Sequence, residues 1–503
     1  MFPAVDTRVI LQLAPMLVMF LGGMAFVVAG ALERTVDARE RVFAIALYAI
    51  AMIYAVRLWN APGDPILGGM LVIDRFSVFF TVVVAICAIG TILTSANYLA
   101  RFGMDRGEFL SMVFFSTTGM VVLVSAFDLV TVFLGIELMS LAIYVLVAFR
   151  RRDFLSNEAA LKYFLIGAFA IGFFLYGVSL VYGVAGSTNF GKIAVAVAER
   201  QLAGNPVFLL AIALILAGFG FKVSSVPFHM WVPDVYQGAP TPITSLMATA
   251  VKAASFGALL RVFSLCFMPS QGQWVGIVWV LAVLTMTAGN LIALVQRNLK
   301  RMLAYSSIAH AGYVLVAVAA LRGDGTNAAA GIMFYVLVYA FMTLGAFAFV
   351  SAIEKRGFTR GLEEDDYAGL GLQHPFLGFC MAAFMFSLAG IPPTAGFFAK
   401  YYVFSAAVDR GMVGLAVIGV LNSALSLYYY LRVIVAMYMR TSEEPVPVHA
   451  DLGVRIVLLV SLLAVLWLGF GPAGMVPGVE NVLEWARASL AAANGFGMRP
   501  FGL

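Results

Sequence analysis

Long apolar stretches and short polar connections alternate from one end of the chain to the other. A helix that crosses a bilayer needs about 20 mainly apolar residues, and runs of that kind recur about fourteen times. They fall near 9–31, 42–60, 76–98, 109–126, 128–149, 158–184, 207–226, 241–267, 274–295, 302–321, 328–352, 376–408, 412–439 and 453–473. Only Phe127-Asp128 separates the fourth run from the fifth. The seventh run meets Pro227, and the twelfth, too long for one plain span, is divided by Pro392-Pro393. Proline withholds a backbone N–H and crowds the carbonyl four residues earlier, so both spans are expected to be broken. The pattern predicts an all-α polytopic membrane protein with about 14 transmembrane helices. The first run lacks a basic leader and a small-residue cleavage site, so it reads as a retained span.

The runs also suggest internal repetition. Runs four to eight and nine to thirteen each make a five-helix unit with the broken helix in fourth place. In both, LAG (216–218 and 388–390) precedes a glycine–phenylalanine pair and a lysine, as GFK at 220–222 and GFFAK at 396–400. YVLVA occurs at 144–148 and again at 313–317. Five is odd, so the two repeats are expected to lie inverted relative to each other. The expected division is 1–108 for helices 1–3, 109–268 for the first repeat, 269–440 for the second, and 441–503 for the last helix and tail.

Composition removes the soluble alternative. The chain is 62% hydrophobic and 11% charged, with mean hydropathy +0.98, where a soluble domain is about a quarter charged. The net charge of +5 sits mostly in short loops and gives no reason to expect nucleic acid. Those loops divide by side. One set holds Arg34/Arg39/Arg41, Arg101/Arg106, Arg150/Arg151/Arg152, Arg297/Lys300/Arg301, Lys355/Arg356/Arg360 and Arg440/Arg455, and the other only scattered Arg75, Lys192, Arg200, Arg322 and Arg410. The positive-inside rule makes the first set cytoplasmic and puts both termini on the far side. The charge-mixed stretch 354–366 reads as a solvated loop. Cys87, Cys266 and Cys380 are far apart and without CxxC spacing, and the four histidines form no ligand motif, so no disulfide, metal or cofactor site is expected.

Charge inside the membrane is where chemistry is expected. A Lys, Asp or Glu at mid-bilayer costs about 2.5–3.5 kcal/mol and by default marks an ion path. Glu137, Lys222, Lys252 and Lys400 lie well inside apolar runs, and His310 lies nearer a helix end. Bland readings stand beside each: a carboxylate satisfied by hydroxyls for Glu137, snorkelling for Lys222, a structural tie for Lys252, an interface anchor for Lys400, a packed ring for His310. The pattern favours the other reading. Gly218, Gly220 and Pro227 surround Lys222, and the hydroxyls of Ser224 and Ser225 can hold water at the break. A lysine in low dielectric gives up its charge readily, and a nearby carboxylate restores it. At an effective dielectric of about 20, unit charges about 4 Å apart interact by roughly 4 kcal/mol, enough to switch a proton. Histidine, with an ordinary value near 6.5, suits a relay.

Three stretches carry a resemblance. FKVSSVPFHMWVPDVYQGAPTPITSLMATAVKAASFGALLR (221–261), RNLKRMLAYSSIAHAGYVL (297–315) and LAGIPPTAGFFAKYYVF (388–404) closely resemble the subunit N family of bacterial NADH-quinone oxidoreductase, counterpart of mitochondrial subunit 2. The likeness covers about spans three to thirteen. It implies an antiporter-like proton channel in the membrane arm of respiratory complex I, without a cofactor of its own, in the bacterial inner membrane with both termini periplasmic. It implies partners too: membrane lipids, small membrane-arm subunits on one side and an antiporter-like subunit M on the other. By motif position, Glu137 resembles the family's fifth-helix glutamate and Lys222 its partner on the broken seventh helix. Lys252 resembles the bridging lysine on the eighth and Lys400 the terminal lysine on the broken twelfth, while His310 is a looser candidate for the bridge. Two other readings stay open: a cation/proton antiporter subunit uncoupled from electron transfer, and a scaffold with vestigial charges.

Overall fold

The computed structural model describes residues 7–32, 37–61, 63–322, 326–354, 362–441 and 446–470, together with Glu484. Several basic residues used above for orientation (Arg34, Lys355, Arg356 and Arg360) and the tail after 470 lie outside these. In chain order the helices are α1 (Thr7–Leu32), α2 (Ala38–Arg57), α3 (Arg75–Phe102), α4 (Glu108–Ser125), α5 (Leu129–Val147), α6 (Phe154–Ala185), α7 (Phe190–Glu199), α8 (Pro206–Val223) and α9 (Val232–Gly238). Next, α10 (Thr241–Leu246) passes through a π turn at Met247–Val251 into α11 (Lys252–Arg261) and a second π turn at Val262–Cys266. Then come α12 (Gln271–Val295), α13 (Leu299–Ala319), α14 (Thr326–Ile353), α15 (Leu370–Gln373), α16 (Pro375–Ala389), α17 (Ala395–Asp409), α18 (Val413–Met439) and α19 (Leu452–Phe470). A two-residue hairpin, β1 (Pro65–Ile66) and β2 (Leu71–Val72), lies between α2 and α3.

Twelve helices among the described residues are long and apolar enough to cross a membrane. Two expected spans fall short by that measure for local reasons. Charges flank α2 (Arg39, Glu40, Arg41, Arg57), and the twelfth run is split into α16 and α17 of 15 residues each. With these two the architecture is the all-α polytopic bundle of about fourteen spans. Many helices start where a side-chain oxygen takes up their free N–H groups: Asp37 for α2, Asp74 for α3, Asp128 for α5, Asn205 for α8 and Asn298 for α13. The stretch between the sixth and seventh runs holds the short helix α7. Asn189 caps it, and Phe190, Ile193, Ala196 and Val197 form its buried face.

Contacts sort the connections to two ends. Arg101, Arg150, Lys300 and Glu354 come together at one end of the bundle, the basic end. Asp74, at the other end of α3 from Arg101, pairs with Arg261 at the opposite end. The broken spans run antiparallel, as inverted repeats require. The α8–α9 span finishes at the basic end, where Asp234 on α9 pairs with Lys162 and Arg301. The α16–α17 span finishes at the opposite end, where Arg322 donates to the Asp409 carbonyl and Arg410 to Gln271. Matching close approaches support the pairing: glycines bring α4 against α5 (Gly119, Gly135) and α12 against α13 (Gly289, Gly312), backbone to backbone.

Candidate functional site

The break after Lys222 begins earlier than Pro227. Ser224 turns to a left-handed φ of 67°, which ends α8 at Val223. The N–H of Ser224 donates to the Phe221 carbonyl at 3.2 Å and that of Ser225 to Gly220 at 2.8 Å. The Phe221 carbonyl also takes the Trp231 indole N–H at 3.2 Å. The hydroxyls of Ser224 and Ser225 are buried without a protein partner, so the break is polar and suited to water. The second break uses the same turn. Gly390 is left-handed at φ 87°, and the N–H groups of Gly390 and Ile391 return to Phe386 at 3.0 Å. The two LAG matches are therefore not equivalent in the fold: Lys222 precedes its left-handed turn and Lys400 follows its own.

All three intramembrane lysines are buried, at 3%, 4% and 5% exposure for Lys222, Lys252 and Lys400. Lys222 Nζ donates to Ser140 Oγ on α5 at 2.7 Å. It also faces the rings of Phe221, Tyr163 and Tyr144, with centroids 5.0, 5.6 and 6.0 Å away. Glu137 is half-buried on α5, one turn before Ser140. No ion pair joins it to Lys222 among the described residues; the two act on each other only through space.

Lys252 stands where the π turn of Met247–Val251 meets α11, and donates to the Ser307 carbonyl on α13 at 2.5 Å. Wide turns of this kind recur at functional sites. Lys252 and His310 line one small cavity of about 10 Å³, closed by Tyr335 and Tyr339 of α14. That is near the lower bound for one water. His310 is held from both sides: Nδ1 lies 2.6 Å from the Tyr335 hydroxyl and Nε2 3.0 Å from the Tyr430 hydroxyl. Tyr430 in turn hydrogen-bonds Ser306. The ring edge of His310 meets Tyr313 at 5.5 Å, and Tyr313 faces Lys400 Nζ at 5.1 Å.

Lys400 on α17 reaches back across the break. Its Nζ donates to the Ala389 carbonyl at the C-terminus of α16 and to Ser423 Oγ on α18, both at 2.8 Å. A helix C-terminus carries partial negative charge and suits a cation. The lysine is one of the residues lining an apolar cavity of about 760 Å³ between α17 and α18. Lys252, His310 and Lys400 thus form a connected aromatic and hydroxyl cluster, while Lys222 and Glu137 stand apart in the first repeat.

The partners of these lysines are neutral oxygens. Two other buried charges are paired: Arg261 Nη2 lies 2.7 Å from Asp74 Oδ1, and Arg150 Nη2 lies 3.2 Å from Glu354 Oε1. Glu354, just past α14, also accepts from Tyr98 at 3.0 Å and from the Thr241 hydroxyl. Burial alone would raise its carboxyl, but Lys300, Arg150 and Thr241 hold it below the ordinary glutamate value. Burial likewise opposes Asp234, and its bonds to Lys162 and Arg301 keep it below the ordinary aspartate value. Lys300 and Glu354 correct an expectation. The sequence places Lys300 in a short loop and Glu354 in a solvated one, yet they are 3% and 7% exposed because α13 begins at Leu299 and other segments close over them.

Sequence pattern also passes over the groups that hold the site residues: Ser140, Tyr335, Tyr339, Tyr430 and Ser423. A hydroxyl in an apolar run is common, and spacing alone gives no signal. No cluster of three or more His, Cys, Asp or Glu able to hold a metal occurs among the described residues.

Comparison with known proteins places the chain in a family. The family described as "NADH:quinone oxidoreductase/Mrp antiporter, TM" matches residues 126–426. NADH-quinone oxidoreductase subunit N of Trichlorobacter lovleyi is 51% identical over 374 residues, covering 74% of this chain and 76% of that protein. A chain of respiratory complex I from Thermus thermophilus is 33% identical with a TM-score of 0.77, covering 92% of this chain and 99% of that one. A chain of the Mrp complex from Dietzia sp. is 20% identical with a TM-score of 0.83, over 98% and 99%, which is a likeness of fold. On these grounds the chain belongs to the NADH:quinone oxidoreductase/Mrp antiporter transmembrane family, in its subunit N branch.

Proposed function

We propose that this chain translocates protons as a membrane-arm subunit of an NADH-quinone oxidoreductase, driven by quinone reduction elsewhere in the complex. Its basic end faces the cytoplasm, and the membrane is a bacterial inner membrane. The five-helix units are 109–268 and 269–440, and the redox groups belong to other subunits. Small membrane-arm subunits adjoin it on one side and an antiporter-like subunit M on the other.

One observation carries this reading: Lys222, Lys252 and Lys400 are buried in spans and bound only to neutral oxygens. A structural lysine at that depth would sit in an ion pair, as Arg261 does. A lysine held by a hydroxyl or carbonyl can exist with or without its extra proton. Glu137 stands one turn from Ser140 and beside the exposed apolar side chains of Leu134, Leu141 and Val145 on α5. That face suits a neighbouring subunit whose charge acts through Glu137 on Lys222. Protons then pass Lys222 and Lys252, cross at His310 through Tyr430 and Tyr313, and leave by Lys400.

The test is Lys222→Ala in the intact complex, reconstituted in vesicles, with NADH-driven proton translocation measured beside electron transfer. Translocation is expected to fall sharply in complexes that assemble. Unchanged pumping would remove Lys222 from the path. Purification from the native membrane with flavin and iron–sulfur subunits is also expected. An assembly without them would favour a cation/proton exchanger.

A further inference from the structure

The buried cluster at the basic end is larger than a structural tie needs. Glu354 receives Arg150, Tyr98 and Thr241. Lys300, on the first turn of α13, donates to the Ala239 carbonyl at 2.8 Å, two residues before Thr241, and lies within electrostatic reach of Glu354. The cluster touches the outside through Arg150 and its partner Asp153, whose side chains are 19% and 31% exposed. The route described above leaves both buried charges unused.

Helical register leads from this cluster to Lys252. On α13, Ser307 lies seven residues after Lys300, two turns on and on the same face. Its carbonyl holds Lys252. On α14, Thr343 lies eleven residues before Glu354, three turns back on the same face. Tyr339, one turn further, lines the cavity of Lys252 and His310. On α10 and the π turn that follows it, Thr241, Ser245 and Thr249 recur every four residues, and Thr249 lines that same cavity. Tyr236 of α9 enters from the side. Its ring meets Phe347 at 6.2 Å, and its hydroxyl comes close to Ser307.

The hydroxyls along these lines are the second observation. Tyr236, Ser245, Ser307 and Thr343 are all buried, and none of the four hydroxyl oxygens makes a well-formed hydrogen bond to protein, although Tyr236 lies near Ser307 and Tyr339 near both Ser307 and Thr343. Four such groups in one seam are unusual, because buried polar groups are nearly always satisfied. Ordered water is the ordinary means when protein groups do not serve. Two helices would hold each other by ion pairs or by apolar packing; a seam of loosely paired hydroxyls serves a hydrogen-bonded chain.

We infer that Lys300 and Glu354 form a proton-loading site at the basic end, from which the hydroxyl seam of α9, α10, α13 and α14 delivers protons directly to Lys252 without passage through Lys222. In the transfer step the Lys300 ammonium gives one proton to the seam and becomes the amine, and the neutral Lys252 amine takes one from its far end. Lys300 is recharged from outside by way of Glu354, and Lys252 passes its proton on toward His310, so each cycle moves one proton and leaves no group altered. The inference rests on the proton-translocation reading above, and adds a second way in.

The experiment uses the intact complex in vesicles, with NADH-driven translocation per electron as the readout and assembly checked for each variant. Lys300→Arg keeps a cation and its donors but cannot release a proton at working pH. Because Lys222 remains as an entry, translocation per electron is expected to fall clearly below the parent but not to vanish in Lys300→Arg, as in Lys300→Met. The double variant Ser307→Ala/Thr343→Val, which removes two hydroxyls while leaving every charge in place, is expected to show the same loss. Full pumping by Lys300→Arg would make Lys300 a fixed structural cation and overturn the proposal. If Lys300→Arg does not assemble, the double variant decides, and full pumping by it overturns the proposal equally. Lys252→Ala separates the two levels. Loss in Lys252→Ala with full pumping in the others sinks the loading site alone, while full pumping in Lys252→Ala as well sinks the translocation reading.

Discussion

Gly390→Ala isolates the placement of Lys400. Gly390 is left-handed, a conformation that costs an L-residue about 1–2 kcal/mol. A methyl group there would also meet the lysine itself, at 2.9 Å from Cδ and 3.2 Å from Nζ. The side chain has to give way, and Nζ then leaves Ala389 or Ser423, each now at 2.8 Å. A hydrogen bond to a charged group contributes about 1.5–3 kcal/mol. The combined penalty is about 2.5–5 kcal/mol, of which more than half falls on the lysine. At 1.4 kcal/mol per tenfold, that share lowers occupancy of the native lysine position by a factor of roughly 10–100. Gly411 supplies the control. It is left-handed too, at φ 79°, but a methyl group there meets nothing within 4 Å. Gly411→Ala is expected to lower the thermal midpoint and to pump normally. Gly390→Ala is expected to lose most NADH-driven translocation in reconstituted complexes. Equal pumping by the two variants would refute the claim that the position of Lys400 matters.

Two further expectations concern the frame. Arg261→Met leaves Asp74 buried without its partner and should destabilise by about 3–5 kcal/mol; adding Asp74→Asn, which can still cap α3, should recover most of that in a thermal melt of the solubilised complex. Asp234 ties α9 to Lys162 and Arg301, and its side chain is 35% exposed, so Asp234→Asn should cost no more than about 1 kcal/mol. Because its folded carboxyl titrates below the ordinary value, this contribution is complete above pH of about 4 and disappears as the pH falls through the lower folded value. The melting-temperature difference between Asp234→Asn and the parent should therefore be constant from neutral pH to pH of about 5 and close only in acid.

The apolar pattern carries most of the architecture, because lipid requires each span to be long, apolar and helical. It locates the spans to within a few residues, and it marks Glu137, Lys222, Lys252 and Lys400 because a charge there is conspicuous. It does not show what holds them. Ser140 and Ser423 look like any small residue in an apolar run, and Tyr430 is one of three successive tyrosines. Their roles come from tertiary placement. Lys300 and Glu354 mislead for the opposite reason: Lys300 adjoins Arg301 and Glu354 adjoins Lys355, and charge neighbours read as solvent. Burial there is made by α3, the connection after α5, α10, α13 and α14 converging from distant parts of the chain. The start of the first break is hidden similarly, since Ser224 gives no sign of a left-handed turn and Pro227 draws attention three residues too late.

The π turn at Met247–Val251 makes Lys252 unequally tolerant of changes in chain length. A π turn holds one residue more than an α-helix needs for the same advance. Loss of a single residue between Thr241 and Lys252 can therefore be absorbed, the turn tightening to ordinary α-helix while the lysine keeps its aim at Ser307. Gain of a residue has no such outlet and swings everything beyond it by about 100°. The segment carries slack of one residue, in one direction only.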